Sequence, residues 1–133
     1  MVLITKDDQT AITQIEFGKN ITVLDTEGYL SVSQMLIDKR QPFGLLFHYT
    51  EQYLKHDRLA LQIQDGWFKT HALPAHVNCF GLAVVAETTE NLGYAKHFQQ
   101  KLIKKFSGCQ TTFFKTVTEA ENWLMLQKQT LSA

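Results

Sequence analysis

His48 and Glu87 each follow an apolar run, Phe43 to Phe47 in one case and Val77 to Ala86 in the other. An imidazole, with an ordinary pKa near about 6.5, can take or give a proton at neutral pH. If the two runs are neighbouring strands, both side chains stand at carboxyl ends, where open α/β sheets bind their ligands. Acid–base chemistry by such a pair requires hydrogen-bond reach, directly or through one water. The same edge gathers Tyr49 and Thr50 after the first run and Thr88 after the second. Lys115 and Thr116 follow a later run, Thr111 to Phe114.

Other catalytic signatures are missing. There is no Gly-x-Ser-x-Gly, and Ser107 before Gly108 falls at a helix end. No glycine-rich phosphate loop follows a strand. His56, His71, His76 and His97 stand at spacings that match no familiar ligand pattern, so neither a metal nor another cofactor is expected. Cys79 and Cys109 form no Cys-x-x-Cys pair, and Cys79 reads as a small buried thiol in an apolar strand. The expectation is a protein that is not an enzyme.

The elements that must position these residues are read from two alternating periods. Leu3 to Thr5 and Ala11 to Phe17 read as strands joined by the polar turn Lys6 to Gln9. Ala11, Thr13, Ile15 and Phe17 share one face at period two. Thr22 to Lys39 reads as a helix with acids early and Lys39-Arg40 at its end, ended by Pro42. Phe43 to Phe47 is a short strand apolar on both faces. Asp57 to Phe68 reads as a second helix weakened near its end by Gly66, with Pro74 in the following loop. Val77 to Ala86 is the most apolar strand. Thr88 or Thr89 caps a helix to about Phe106, stopped by Gly108. Thr111 to Phe114 is the final strand, and Thr118 with Glu121 forms a capping box for the last helix.

Strands alternating with helices predict a mainly parallel sheet, because a helical crossover joins parallel neighbours. The first hairpin adds an antiparallel edge strand, and about four helices pack the sheet. A chain of 133 residues, 44% apolar, suits one domain spanning 1–133 with a real core. Zero net charge argues against nucleic acid, whose phosphates select a basic excess, and leaves a homodimer open. No apolar stretch approaches the roughly 18 residues of a membrane span, and the start lacks the basic and apolar regions of a signal peptide. The expected compartment is the cytoplasm.

This order, with three local patterns, resembles the SpoIIAA-like family, relatives of STAS anti-sigma-factor antagonists and Sec14 lipid carriers. The patterns are Phe43-Gly-Leu-Leu-Phe47 before an irregular turn and a helix, Asp65-Gly-Trp-Phe68 leading into Phe80-Gly-Leu-Ala-Val-Val85, and Thr118-Glu-Ala-Glu-Asn-Trp-Leu124. The likeness runs from about Leu3 to Leu124. It implies a STAS-type α/β sheet and a regulatory or protein-binding role. Anti-sigma antagonists carry Asp-Ser-Ser-Gly at the start of the helix after the third strand. Here that place holds His56-Asp57-Arg58-Leu59, so Asp57 matches and the phosphorylated serine does not. Tyr49, Tyr53 and Trp67 lie in or near the segment where Sec14 relatives hold hydrophobic ligands.

Two readings follow. In the first, the chain is a non-enzymatic regulatory module that binds a protein partner through His48, Tyr49, Thr50, Glu87 and the helix after Thr50. In the second, it carries or senses a small hydrophobic, lipid-like ligand among Tyr49, Tyr53 and Trp67. Lys96, Lys101, Lys104 and Lys105 give the third long helix a basic side, either a solvated face or a docking face for an acidic partner or anionic lipid.

Overall fold

Hydrophobic stripes of two periods demand strands that are covered by helices, and the chain satisfies them with three layers. A computed structural model describes residues 1–93, 96 and 110–132, with backbone only for 68, 71–77, 131 and 132. The elements are β1 (Val2–Asp7), β2 (Ile12–Phe17), β3 (Asn20–Ile21), α1 (Val23–Asp38), β4 (Phe43–Tyr49), β5 (Lys55–His56) and α2 (Arg58–Asn78). They continue with β6 (Cys79–Ala86), a helix α3 described over 89–93, β7 (Thr111–Phe114) and α4 (Val117–Ser132). The main sheet runs β1-β2-β4-β6-β7. Its β1–β2 pair is antiparallel and its other pairs are parallel. The two-residue strands β3 and β5 pair separately and in parallel.

Strand alternation divides the core in two. On one face Ile15, Phe17, Leu45, Phe47, Tyr49, Leu82 and Val84 meet Tyr29, Leu30, Leu36 and Ile37 of α1, with Ile63 and Trp67 of α2 packed alongside. On the other face Ile12, Leu46, Phe80, Ala83 and Val85 meet Ala120 and Leu124 of α4. Each fully buried Leu, Val or Phe contributes about 1.5–3 kcal/mol by leaving water. The central strands β4 and β6 are buried at every position, because helices cover both of their faces. Two glycines permit that closeness. A Cβ on Gly44 would stand 2.6 Å from the Phe80 ring, and one on Gly81 would stand 3.0 Å from Trp123 and Leu124.

Local chemistry sets the element ends. Thr22 caps α1 by accepting from the Asp25 amide at 3.1 Å, while the Asp25 carboxylate accepts from the Thr22 amide at 3.0 Å. Partial burial would push the Asp25 carboxyl up. The Thr22 bonds and the N-terminal amine, 3.3 Å away, outweigh it and hold the carboxyl below its usual range. After α1, Arg40 takes the left-handed conformation with φ 53, the place where a helix reverses out of its axis.

Three expectations need correcting. Pro74 does not lie in a loop: α2 runs through Gly66 and Pro74 to Asn78, so β6 begins at Cys79 and not at Val77. A proline inside a helix removes one backbone donor, and here the surrounding helix tolerates that loss. The last helix is capped two residues earlier than Thr118. The Thr116 hydroxyl accepts from the Glu119 amide at 3.3 Å and donates to the Glu119 carboxylate at 2.9 Å. Asp57 precedes α2 rather than starting it. Its amide donates to the Ile21 carbonyl at 2.8 Å, and its carbonyl accepts from Leu61 at 3.0 Å.

Candidate functional site at the carboxyl ends of the strands

Parallel pairing brings the carboxyl ends of β2, β4 and β6 side by side. Glu16 is opposite His48, and His48 is opposite Val85. Glu87, two residues beyond Val85, falls on the same face of the sheet. His48 Nε2 lies 2.8 Å from Glu87 Oε1, and Nδ1 lies 3.3 Å from Glu16 Oε1. A carboxylate only accepts, so Nε2 carries the proton in the first contact. The second is near enough to pair charges but is not aligned as a hydrogen bond, which leaves Nδ1 buried without one. His48 itself is 7% exposed.

Glu87 also holds the loop that follows β4. Its Oε2 accepts from the Glu51 amide at 2.9 Å. The Thr50 hydroxyl donates to the Phe17 carbonyl at 2.9 Å, and Asn91 Nδ2 donates to the Thr50 carbonyl at 2.7 Å. Thr88 in turn accepts from the Asn91 amide at 3.0 Å, which fixes the first turn of α3. The result is a preformed cleft of about 250 Å³, lined by Leu3, Glu16, His48, Thr50, Glu51 and Glu87 among others.

The sequence-derived candidates therefore separate. His48, Thr50 and Glu87 come together, and Glu16 and Glu51 join them. Tyr49 points the other way, into the first core, with its ring 4.8 Å from Phe17 and 4.9 Å from Tyr53. Tyr49 and Tyr53 are 1% and 3% exposed, so both are core side chains. Trp67 is half-buried against that core, and Asp57 is half-buried before α2. Lys96 is exposed, whereas Lys101, Lys104 and Lys105 lie outside the described residues, as do His97 and Cys109. Cys79 is buried, with its Sγ donating to the Gly81 carbonyl at 3.5 Å. Among the described residues no group of three or more His, Cys, Asp or Glu side chains is placed to hold a metal. No described helix is long and apolar enough to cross a membrane.

Sequence reasoning missed a second polar cluster beneath α1 and α2. The Tyr53 hydroxyl lies 2.7 Å from His56 Nδ1, His56 Nε2 lies 3.3 Å from the Tyr29 hydroxyl, and that hydroxyl donates to Gln64 Oε1. Because Gln64 Oε1 can only accept, the chain has one polarity: Tyr53 donates to Nδ1, and Nε2–H donates to Tyr29. All four side chains are buried. Burial pushes the His56 imidazole down to about 4, as does the N-terminal amine, against an opposing Asp25 carboxylate. Burial also pushes the Tyr29 phenol up. No spacing in the sequence marks this cluster, since Tyr29 of α1 meets His56 and Gln64 only through tertiary packing.

No family model matches the chain, and no curated protein matches it. A search of solved structures gives an uncharacterised protein of the DUF3478 family, with a SpoIIAA-like fold, from Shewanella loihica PV-4. The likeness has a TM-score of 0.64 at 13% sequence identity and covers 93% of this chain and 92% of that one. With a mostly parallel sheet, one antiparallel edge pair and helices on both faces, the chain has the SpoIIAA-like fold.

Proposed function

We propose that this chain is a non-catalytic, STAS-like interaction module, regulatory in role, that binds a protein partner at the carboxyl-end cleft. The observation that carries the reading is the double role of Glu87, which grips His48 through one oxygen and the Glu51 amide through the other. That arrangement pre-orders the 50–54 loop against β6, and a pre-ordered rim loses less conformational freedom when a partner docks.

The chemistry of the cleft supports binding over catalysis. His48 and Glu87 are within hydrogen-bond reach, so the pair meets the geometric requirement for acid–base work. Both ring nitrogens face carboxylates, however, and the Thr50 hydroxyl at the same cleft is committed to the Phe17 carbonyl. A hydrophobic-ligand carrier would need room where the rings of Phe17, Tyr49 and Tyr53 already touch.

The test is site-specific photo-crosslinking in the native host. A benzoylphenylalanine replaces exposed Gln52 on the rim or exposed Ser31 on α1. A discrete crosslinked protein from position 52 alone, lost when Glu87→Ala is added, is the expected result. Equal crosslinking from both positions, or none from position 52, refutes the reading.

A further inference from the structure

β1 stands at one end of the sheet order β1-β2-β4-β6-β7, and β2 is the strand it pairs with. Gly18 donates to the Met1 carbonyl at 2.8 Å, in the register that sets Val2 opposite Phe17. Bonding groups alternate from side to side along an antiparallel strand. Met1, Leu3, Thr5 and Asp7 therefore turn theirs to β2, and Val2, Ile4 and Lys6 turn theirs outward.

Proteins blunt a free edge with proline, bulges, very short strands, lysines or a covering element. β1 is six residues long, has no proline and pairs with β2 without a register shift. Its one lysine, Lys6, lies near one end. α4 lies over β4, β6 and β7, and its Lys128 reaches the Gln9 carbonyl in the turn beyond β1. Leu3 is left 55% exposed.

The edge is complementary to itself. A two-fold axis perpendicular to the sheet keeps like faces together, so it must pass through a residue and not between two. Centred on Ile4, it sets Ile4 against Ile4, and Val2 against Lys6 of the second copy. Every outward residue then exchanges its amide and carbonyl bonds. The two Lys6 side chains stay about 14 Å apart at strand rise, beyond the roughly 8 Å over which salt leaves exposed charges coupled. Centred on Thr5, the axis would bring them to about 7 Å and leave Val2 unpaired. On the α4 side the Ile4 axis puts Leu3 opposite Thr5 of the second copy, with the two Leu3 side chains diagonal neighbours about 7–8 Å apart. On the other side the half-buried Ile4 side chains face each other and extend the first core, against which Val2 and Ile4 already pack. Zero net charge keeps overall repulsion between copies low.

We infer that β1 pairs antiparallel with β1 of a second copy about a two-fold axis through Ile4, joining two five-stranded sheets into one. The inference does not rest on the partner-binding role of the carboxyl-end cleft.

Sedimentation equilibrium of the full chain over a wide concentration range tests the association, and residue-resolved hydrogen exchange tests the register. Mass should rise with concentration from one copy to two and stop there. Exchange at Val2, Ile4 and Lys6 should slow as the dimer forms, while Leu3 and Thr5, already bonded to β2, should change little. Thr5→Lys, at an exposed position, sets two new like charges on the diagonal and should weaken the dimer about fivefold. Ile4→Cys should give a disulfide-linked dimer under mild oxidation, because a hydrogen-bonded pair holds its Cα atoms about 5.5 Å apart. Asp8→Cys, in the turn after β1, should not. A mass that stays at one copy up to millimolar concentration, or that grows past two, overturns the inference. So does slowing at Leu3 and Thr5 in place of Val2, Ile4 and Lys6, an unaffected Thr5→Lys, or equal crosslinking of the two cysteine variants.

Discussion

The Tyr53 hydroxyl and His56 Nδ1, three residues apart in sequence, lie 2.7 Å from each other, both buried. That bond and the next, from Nε2–H to Tyr29, use the neutral imidazole, and burial holds the ring neutral down to about pH 4. The unfolded chain takes up this proton near its ordinary pKa of about 6.5. Between those values the unfolded state binds more protons than the folded one, so stability rises with pH across the window and is lost on acidification. The full effect is about 3 kcal/mol, complete near pH 4 and absent above pH 7. Urea midpoints measured from pH 7 to pH 4.5 should fall, and the fall should flatten in His56→Gln. An equally steep fall in that variant would assign the acid sensitivity to other groups.

Glu87→Ala should loosen the rim without unfolding the protein. The Glu51 amide loses its acceptor, and its hydrogen exchange should accelerate while amides of β4 and β6 keep their protection. Global stability should change by less than about 1 kcal/mol, since the Glu87 side chain is more than a third exposed. Residue-resolved exchange by NMR checks both statements at once.

Gly44→Ala should destabilise through overpacking. The new methyl would meet the buried Phe80 ring at 2.6 Å, and relief requires the ring or the strand to shift, at a cost of about 1–3 kcal/mol. Phe80→Leu in the same chain should recover part of the loss. A double-mutant cycle in denaturant measures the coupling, and additivity would mean that the two sites do not meet.

Thr22→Ala removes the acceptor for the Asp25 amide and should cost about 1 kcal/mol, read as a lowered Tm. Thr22→Ser keeps the acceptor and should restore most of it.

Much of the fold was legible because β4 and β6 are apolar on both faces while α1 and α4 carry stripes at helical spacing. The extent of α2 was not legible. A rule that stops helices at Pro74 weighs one residue, whereas twenty-one residues form this helix and its Ile63 and Trp67 are docked against the first core. The cap of α4 was misplaced because Thr116-Val-Thr-Glu119 and Thr118-Glu-Ala-Glu121 carry the same pattern in overlapping frames. At the site, His48 and Glu87 could be named from strand ends alone, but their contact depended on β4 lying next to β6. Glu16 was invisible for the same reason, because strand order decides which side chain stands opposite His48. Tyr49 looked like a rim residue beside His48, and the two-residue alternation of a strand sends it to the opposite face.

α4 also has a bearing on how the chain matures. It shields Leu46, Phe80 and Val85, and it follows every described strand of the sheet in chain order, so it leaves the ribosome after them. Until those sixteen residues emerge, the adjacent strands β4 and β6 present an oily stripe to the cell, a natural target for chaperones and a seed for aggregation.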